Sequence, residues 1–263
     1  MVHLAIIGKD KRVTFLKELL EIEINAIITH CNILLRFDKD TEKFRIFKNS
    51  YYDLKNVLQS DDPENKNTRL ILELMSAFRA LLDHWETELK RKFGKQSKEV
   101  EIFKKATNKE YDEKFSYRFI SGLRNCIQHV SMPIIRINSS INEKNLVETK
   151  LYLSKSELLN TFDGWKPKVL EDFITQPDSI ELLPILDDVF DSIKQLNDIA
   201  INLLNIQELV ISSQVLLGLK KLQGNIMGDL AIIESVPDLS LKIQILPIHI
   251  ADYIISNITV NKK

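Results

Sequence analysis

Arg124, Asn125 and His129 stand within Leu123-Arg-Asn-Cys-Ile-Gln-His129. A guanidinium is permanently cationic, and its fork of N–H groups binds two phosphate oxygens at once. An imidazole titrates near neutrality, so it can take up a proton and give one back. Together the two can grip a phosphodiester and move the proton of a ribose 2′-hydroxyl. That is most of what cutting RNA without a metal requires, and the Asn125 amide can position either group.

These residues need an element to hold them, and the spacing predicts a helix over about 114–131. Pro133 stops it, because a residue before proline resists the helical conformation. With Arg118 at 0° on a helical wheel, Asn125 falls near about −20° and His129 near about +20°. Ser121, Gln128 and Arg124 follow at about −60°, −80° and −120° by the same geometry. Phe119, Ile120, Leu123, Cys126, Ile127 and Val130 take the opposite side and face a core. Arg118 and Gln128 are therefore expected to extend the polar face as RNA contacts. Arg124 lies about 140° from His129. Its long side chain can swing toward the Asn125–His129 row, or a second copy of the helix can bring Arg124 and His129 of different chains together. His129, in the last turn, sits where the helix dipole favours a cation.

Spacing alone is a weak signal, because Arg79-Ala-Leu-Leu-Asp-His84 repeats it. There Arg79 and Asp83 are expected to form an (i, i+4) ion pair. Asp83 can instead orient a catalytic arginine or histidine from a neighbouring helix, so this pair is held as a possible support of the site.

Other helices are expected over Lys11 to about Arg36, carrying Phe15, Leu19, Leu20, Ile22 and Ile27, and over about 69–92. The second places Leu70, Leu74, Ala77, Phe78, Leu81 and Trp85 on one side, with Asn67 or Thr68 as cap and Gly94 as stop. Ser60–Thr68 is expected to be a polar linker, and Lys90–Lys114 reads as a lysine-rich connection. Ile134–Ile137 and Leu146–Leu153 read as two strands around the turn Asn142–Asn145, a hairpin over about 134–153. Ser154-Lys-Ser-Glu157 is a capping box opening another helix, which Gly164 closes. Ser179 to about Gln223 is helical, with a bend near Pro184 or a break near Asn205. Leu239–Ile245 alternates as a half-buried strand, and 248–258 is amphipathic. The expected fold is mainly α, one helical domain over 1–223 with a small β-hairpin insertion. Residues 224–263 form a small segment packed on it, with a short strand near the C-terminus.

The chain has 263 residues, 36 basic and 37 acidic, so its overall charge argues neither for nucleic acid nor for an acidic membrane. The balance is uneven: Arg79–Val130 holds 12 basic and 8 acidic residues, whereas Asn160–Ala200 holds 3 and 9. The basic half surrounds the motif and is either a solvated lysine surface or a shallow phosphate track. Cys31 and Cys126 make no metal-type cluster or disulfide framework. The apolar start is too short for a signal peptide, and no run of about 18 apolar residues occurs. The expected location is the cytoplasm, with no membrane, metal or cofactor. Asp38-Lys-Asp40-Thr-Glu42 has calcium-like spacing but lacks the glycine and final glutamate of such a loop, and reads as a solvated turn.

Leu123-Arg-Asn-Cys-Ile-Gln-His129 resembles the signature of the HEPN superfamily, helical proteins whose nuclease members carry an arginine, four to six residues and a histidine. The residue after the arginine is commonly Asn, Asp or His. The resemblance covers roughly 69–135. It implies an antiparallel helical bundle over 1–223 that forms a homodimer, setting two motifs in one composite cleft. It also implies a metal-independent endoribonuclease, often a toxin of a toxin–antitoxin pair or an abortive-infection, phage-defence effector with an antitoxin or partner protein. Carried over, Arg124 binds the scissile phosphate, His129 moves the 2′-hydroxyl or leaving-group proton, and Asn125 positions one of them. Some members place a tyrosine two residues after the histidine, where a partner modifies it; here Ser131 stands there, so neutralisation by that route is not expected. Two other readings stay open: a HEPN-like module that binds nucleotide, RNA or protein without catalysis, and a helical scaffold.

Overall fold

In the computed structural model the chain opens with β1 (Val2–Ile7) and β2 (Val13–Glu18) and enters a long helix, α1 (Glu21–Val57). Three helices follow: α2 (Asn67–Phe93), α3 (Lys98–Glu113) and α4 (Phe115–His129). Then come β3 (Ile135–Ile141), β4 (Val147–Ser154), α5 (Lys155–Thr161), α6 (Pro167–Thr175) and β5 (Ser179–Glu181). α7 (Leu182–Leu203) and α8 (Ile206–Lys220) lead through a 3-10 turn to β6 (Asp229–Ser235), β7 (Leu241–Ile245) and α9 (Ile248–Asn257). The structure describes residues 1–58, 67–141, 143, 145, 147–204, 206–235 and 241–257. The fold is mainly α, 67% helical with two small antiparallel sheets among the described residues. Most of the expected Ser60–Thr68 linker, part of the turn at Asn142–Asn145, the break at Asn205, and Leu239, Ser240 and Ile258 lie outside the described residues.

Two compact units divide the chain: Met1–Thr41 with Asn202–Lys263, and Glu42–Ile201. The boundary expected at residue 223 does not coincide with this division. The reason is strand pairing between the chain's two ends. β1 lies antiparallel between β2 and β6, and β7 completes the order β2-β1-β6-β7. Ala5 pairs with Ala231 and Leu4 with Ile232, burying Leu4, Ala5, Ile6, Ala231 and Ile233. Gly228, at φ +147°, enters β6 so close to β1 that a Cβ would stand 2.4 Å from the Ile7 carbonyl oxygen. The helix expected from Lys11 therefore begins ten residues later, at Glu21. Phe15 belongs to β2, is exposed and meets His3 edge-on at 5.1 Å.

The second unit holds the motif. α2 and α4 form where their apolar spacing predicts them, and Gly94 leaves α2 at φ +92°, a conformation open to glycine. Leu70, Leu74, Phe78, Leu81 and Trp85 are buried, and the Trp85 indole donates to Asn197 Oδ1 of α7 at 3.1 Å. The lysine-rich connection is instead a helix for most of its length. Ser97 caps α3 by accepting from the Val100 amide, and Val100 and Phe103 supply its buried face. Two apolar residues one turn apart suffice when the rest of the helix is mostly solvated charge of both signs.

The β3–β4 hairpin forms in register, Ile137 opposite Leu151, and β5 adds a third strand through Ile180 opposite Leu153. Ser179–Glu181 is therefore strand, not the first turn of a helix. Ser154 caps α5 through the Glu157 amide, but the Glu157 carboxylate accepts from the Ile134 amide at 2.9 Å, tying α5 to the chain before β3. Asp38–Glu42, expected as a solvated turn, lies inside α1 with Asp40 buried. α6, a nine-residue amphipathic helix with Val169 and Phe173 buried, and β6, a short apolar run, lie outside the expected elements.

α4 is held by an aromatic cluster. Trp165 stacks on Phe119 at 6.0 Å, meets Phe173 at 5.1 Å and donates its indole N–H to the Leu158 carbonyl. Its ring also covers Gly122, where a Cβ would fall 2.5 Å from Trp165 Cζ3. Alanine improves helix propensity by about 1 kcal/mol, but forcing atoms into a packed core costs about 1–3 kcal/mol. The rigid, boxed-in indole makes the second effect prevail. Gly122→Ala is expected to lower the urea midpoint with an unchanged m value; a raised midpoint would show that Trp165 yields.

Candidate functional site between α2, α3 and α4

On α4 the stripe Tyr117, Ser121, Arg124, Gln128 recurs every three or four residues and looks toward α2 and α3. On α2 a matching stripe holds Arg79, Asp83 and Glu86. Between them lie two grooves. One, of about 270 Å³, is lined by Arg79, Asp83, Tyr117, Ser121, Arg124 and Asn125, with Phe78, Phe103, Thr107 and Asn108 among its other walls. The second, of about 330 Å³, is lined by Leu72, Met75, Ser76, Arg79, Ala80, Asp83, Arg124, Ile127 and Gln128. Arg79, Asp83 and Arg124 border both.

Within this row the two arginines are in different electrostatic states. Arg79 and Asp83 form the expected (i, i+4) pair, Nη2 to Oδ1 at 2.7 Å and Nε to Oδ2 at 2.9 Å. Both are half exposed, so the pair contributes only about 0.3–0.5 kcal/mol and can open toward another anion. Arg124 is half-buried and donates Nη1–H to the neutral Asn125 Oδ1 at 3.1 Å. It has no carboxylate partner among the described residues. By contrast, Lys90, Lys105 and Lys114 each hold the glutamate four residues earlier. These lysines are held by carboxylates at the surface, while Arg124 keeps its charge inside the grooves.

Tyr117 was not singled out by sequence. It is 4% exposed, stacks edge-on with Phe78 at 5.5 Å and lines the smaller groove. Burial, reinforced by the charge of Glu110 and opposed by Arg79, pushes its hydroxyl well above the ordinary tyrosine range. It is a neutral donor at physiological pH. The signal for it was on the wheel: Tyr117 falls at about −100°, beside Gln128 and Arg124.

Arg118 requires correction. The wheel put it in line with Asn125 and His129 on an open face, as an RNA contact. It is 5% exposed. Its Nε and Nη2 donate to the two Asp172 oxygens at 2.8 and 3.0 Å, and Nη1 donates to the Tyr111 and Asp112 carbonyls. The guanidinium is consumed in fastening α6 and the end of α3 to α4. Gln128 and His129 are exposed near the end of α4. Gln128 borders the larger groove, whereas His129 lines neither.

A single chain therefore brings Arg124, Asn125, Arg79 and Asp83 together, and leaves His129 on the surface as the last residue of α4. The arrangement can hold an anion such as a phosphodiester at Arg124. Among the described residues no group of three or more His, Cys, Asp or Glu is placed to hold a metal ion. No single helix among them is long and apolar enough to cross a membrane. Comparison with protein-family models, with curated proteins and with solved structures returns no match for this chain.

Proposed function

We propose that the protein is a metal-independent endoribonuclease of the HEPN type, acting in the cytoplasm as a toxin or phage-defence effector. The observation that carries this is the state of Arg124: a half-buried guanidinium with no carboxylate partner, bordering two grooves, followed by Asn125 and, about one turn on, by an exposed imidazole. Arg124 binds the scissile phosphate and stabilises the charge that builds on it. His129 moves the proton between the 2′-hydroxyl and the leaving oxygen. The decisive experiment is incubation of the purified protein with total RNA in EDTA, followed by analysis of the new ends.

His129 lies outside both grooves of one chain, so the reading includes a homodimer in which His129 of one copy meets Arg124 of the other. This predicts complementation. Arg124→Ala and His129→Ala proteins, each inactive alone, regain activity when unfolded together and refolded as a mixture, because a mixed dimer retains one intact Arg124–His129 pair. A mixture as inactive as its parts would confine both residues to one chain. The same displacement of His129 also favours a second reading, a module that binds RNA or nucleotide at Arg124 and cuts nothing. An antitoxin or defence partner would then dock over the same face.

A further inference from the structure

Cavities that hold small ligands are mostly apolar, with a few placed polar groups, and start near about 300 Å³. The smaller groove, at about 270 Å³, is slightly below that size and more polar at its mouth, where Arg79, Asp83, Glu86 and Lys104 also stand, and it is on the scale of one nucleoside. Its inner wall is aromatic: Phe78, Phe103 and Tyr117 are all at least nine-tenths buried. Its rim carries amide and hydroxyl groups, Asn108 and Thr107 on α3 and Ser121 on α4. Its edge is Arg124 with Asn125.

The Tyr117 hydroxyl is the second observation. It makes no hydrogen bond among the described residues, and it is not one of their buried polar atoms left without a partner, so on a residue only 4% exposed the oxygen is the part that opens into the groove. A tyrosine hydroxyl at the wet end of an otherwise apolar side chain is suited to donate to a ligand. Ser121 donates its own proton to the Tyr117 carbonyl at 2.8 Å, so its oxygen lone pairs remain free to accept. A donor at Tyr117 and an acceptor at Ser121, against aromatic side chains, fit the edge and body of a heterocyclic base.

We infer that this groove is a nucleobase pocket, which seats one base of the RNA strand while Arg124 holds the adjoining phosphate. The inference rests on the proposed role of Arg124 as the phosphate contact. The pocket gives the nuclease a preference for the base beside the scissile bond, with Tyr117 and Asn108 as specificity-determining residues.

The test titrates the four nucleoside 5′-monophosphates, ribose 5-phosphate and uncleavable 2′-O-methyl RNA tetramers of each base into the intact protein, by calorimetry. One mononucleotide is expected to bind at least tenfold more tightly than ribose 5-phosphate, and the tetramer of the same base tighter still. Tyr117→Phe, which removes only the hydroxyl, is expected to weaken that mononucleotide about tenfold, the scale of one hydrogen bond. It should leave ribose 5-phosphate binding and the melting temperature unchanged. Asn108→Ala, at an exposed position, provides a second variant that carries no folding penalty and is expected to blunt the base preference. Four mononucleotides no tighter than ribose 5-phosphate, or a preference untouched by both variants, would overturn the pocket. So would binding of a mononucleotide but not of the matching tetramer, which would make it a site for free nucleotides. The two readings fail separately. RNA left intact while tetramers bind with a base preference sinks the nuclease alone, and RNA cut by a protein that shows no base preference sinks the pocket alone.

Discussion

Total RNA incubated with the purified protein in EDTA is expected to be cut, leaving 2′,3′-cyclic phosphate ends, and Arg124→Ala and His129→Ala are each expected to abolish the cutting. The size of each loss follows from the role assigned. A positioned general acid or base contributes about 10²–10⁴-fold, which is the expected cost of His129→Ala. Removing one preorganised donor to developing charge costs about 10²–10³-fold, the expected cost of Arg124→Ala. Neither change should unfold the protein. His129 is exposed, and Arg124 makes one neutral hydrogen bond, so stability should move by only about 0.5 kcal/mol. Mass spectrometry of the new ends, with thermal melts of both variants, checks the whole set. RNA left intact by the unmodified protein, or cut equally by the two variants, removes the nuclease reading and leaves the binding module.

Arg118→Ala is expected to have the largest effect on stability, and little on RNA. The arginine side chain is 6% exposed and its Asp172 partner 23%, and the guanidinium also serves two backbone carbonyls. Removing one member of a buried pair strands the other, a cost of about 3–5 kcal/mol. Asp172 keeps some solvent, which points to the lower end, near about 3 kcal/mol. For a unit of this size that is a fall in melting temperature of roughly 10 °C. Replacing both partners with apolar residues, Arg118→Met with Asp172→Leu, should recover much of the loss, because no charge is then left buried alone. Salt dependence separates this role from the one the wheel assigned. A phosphate contact, once removed, flattens the slope of log affinity against log salt by about one. For Arg118→Ala that slope should stay as it is, and should flatten for Arg124→Ala.

Local pattern carried α2, α4 and the β3–β4 hairpin, because each has an unambiguous period and a stop or turn of its own: Gly94, Pro133, and the polar residues after Ile141. It misread residues 11–18, because Phe15 sits at a spacing that suits a helix continuing into α1. Nothing nearby shows that β1 is waiting to pair with it, or that β1's other neighbour is β6. It also passed over α3, whose buried face has only two apolar residues, Val100 and Phe103, among charges of both signs.

The candidate site divides in the same way. That α4 is amphipathic, that Arg124 and Asn125 stand on its polar side and that Arg79 pairs with Asp83 are consequences of 3.6 residues per turn, which sequence alone determines. A wheel has no neighbours, however. It cannot say which part of a polar face another element covers. α6 brings Asp172 to Arg118 and closes that sector, whereas α2 and α3 leave a gap beside Tyr117, Ser121 and Arg124. Two arginines six residues apart on one helix thereby receive opposite fates, one neutralised in the core and one left charged in a groove. That choice belongs to the tertiary structure, because the energy of a charge is set by what surrounds it.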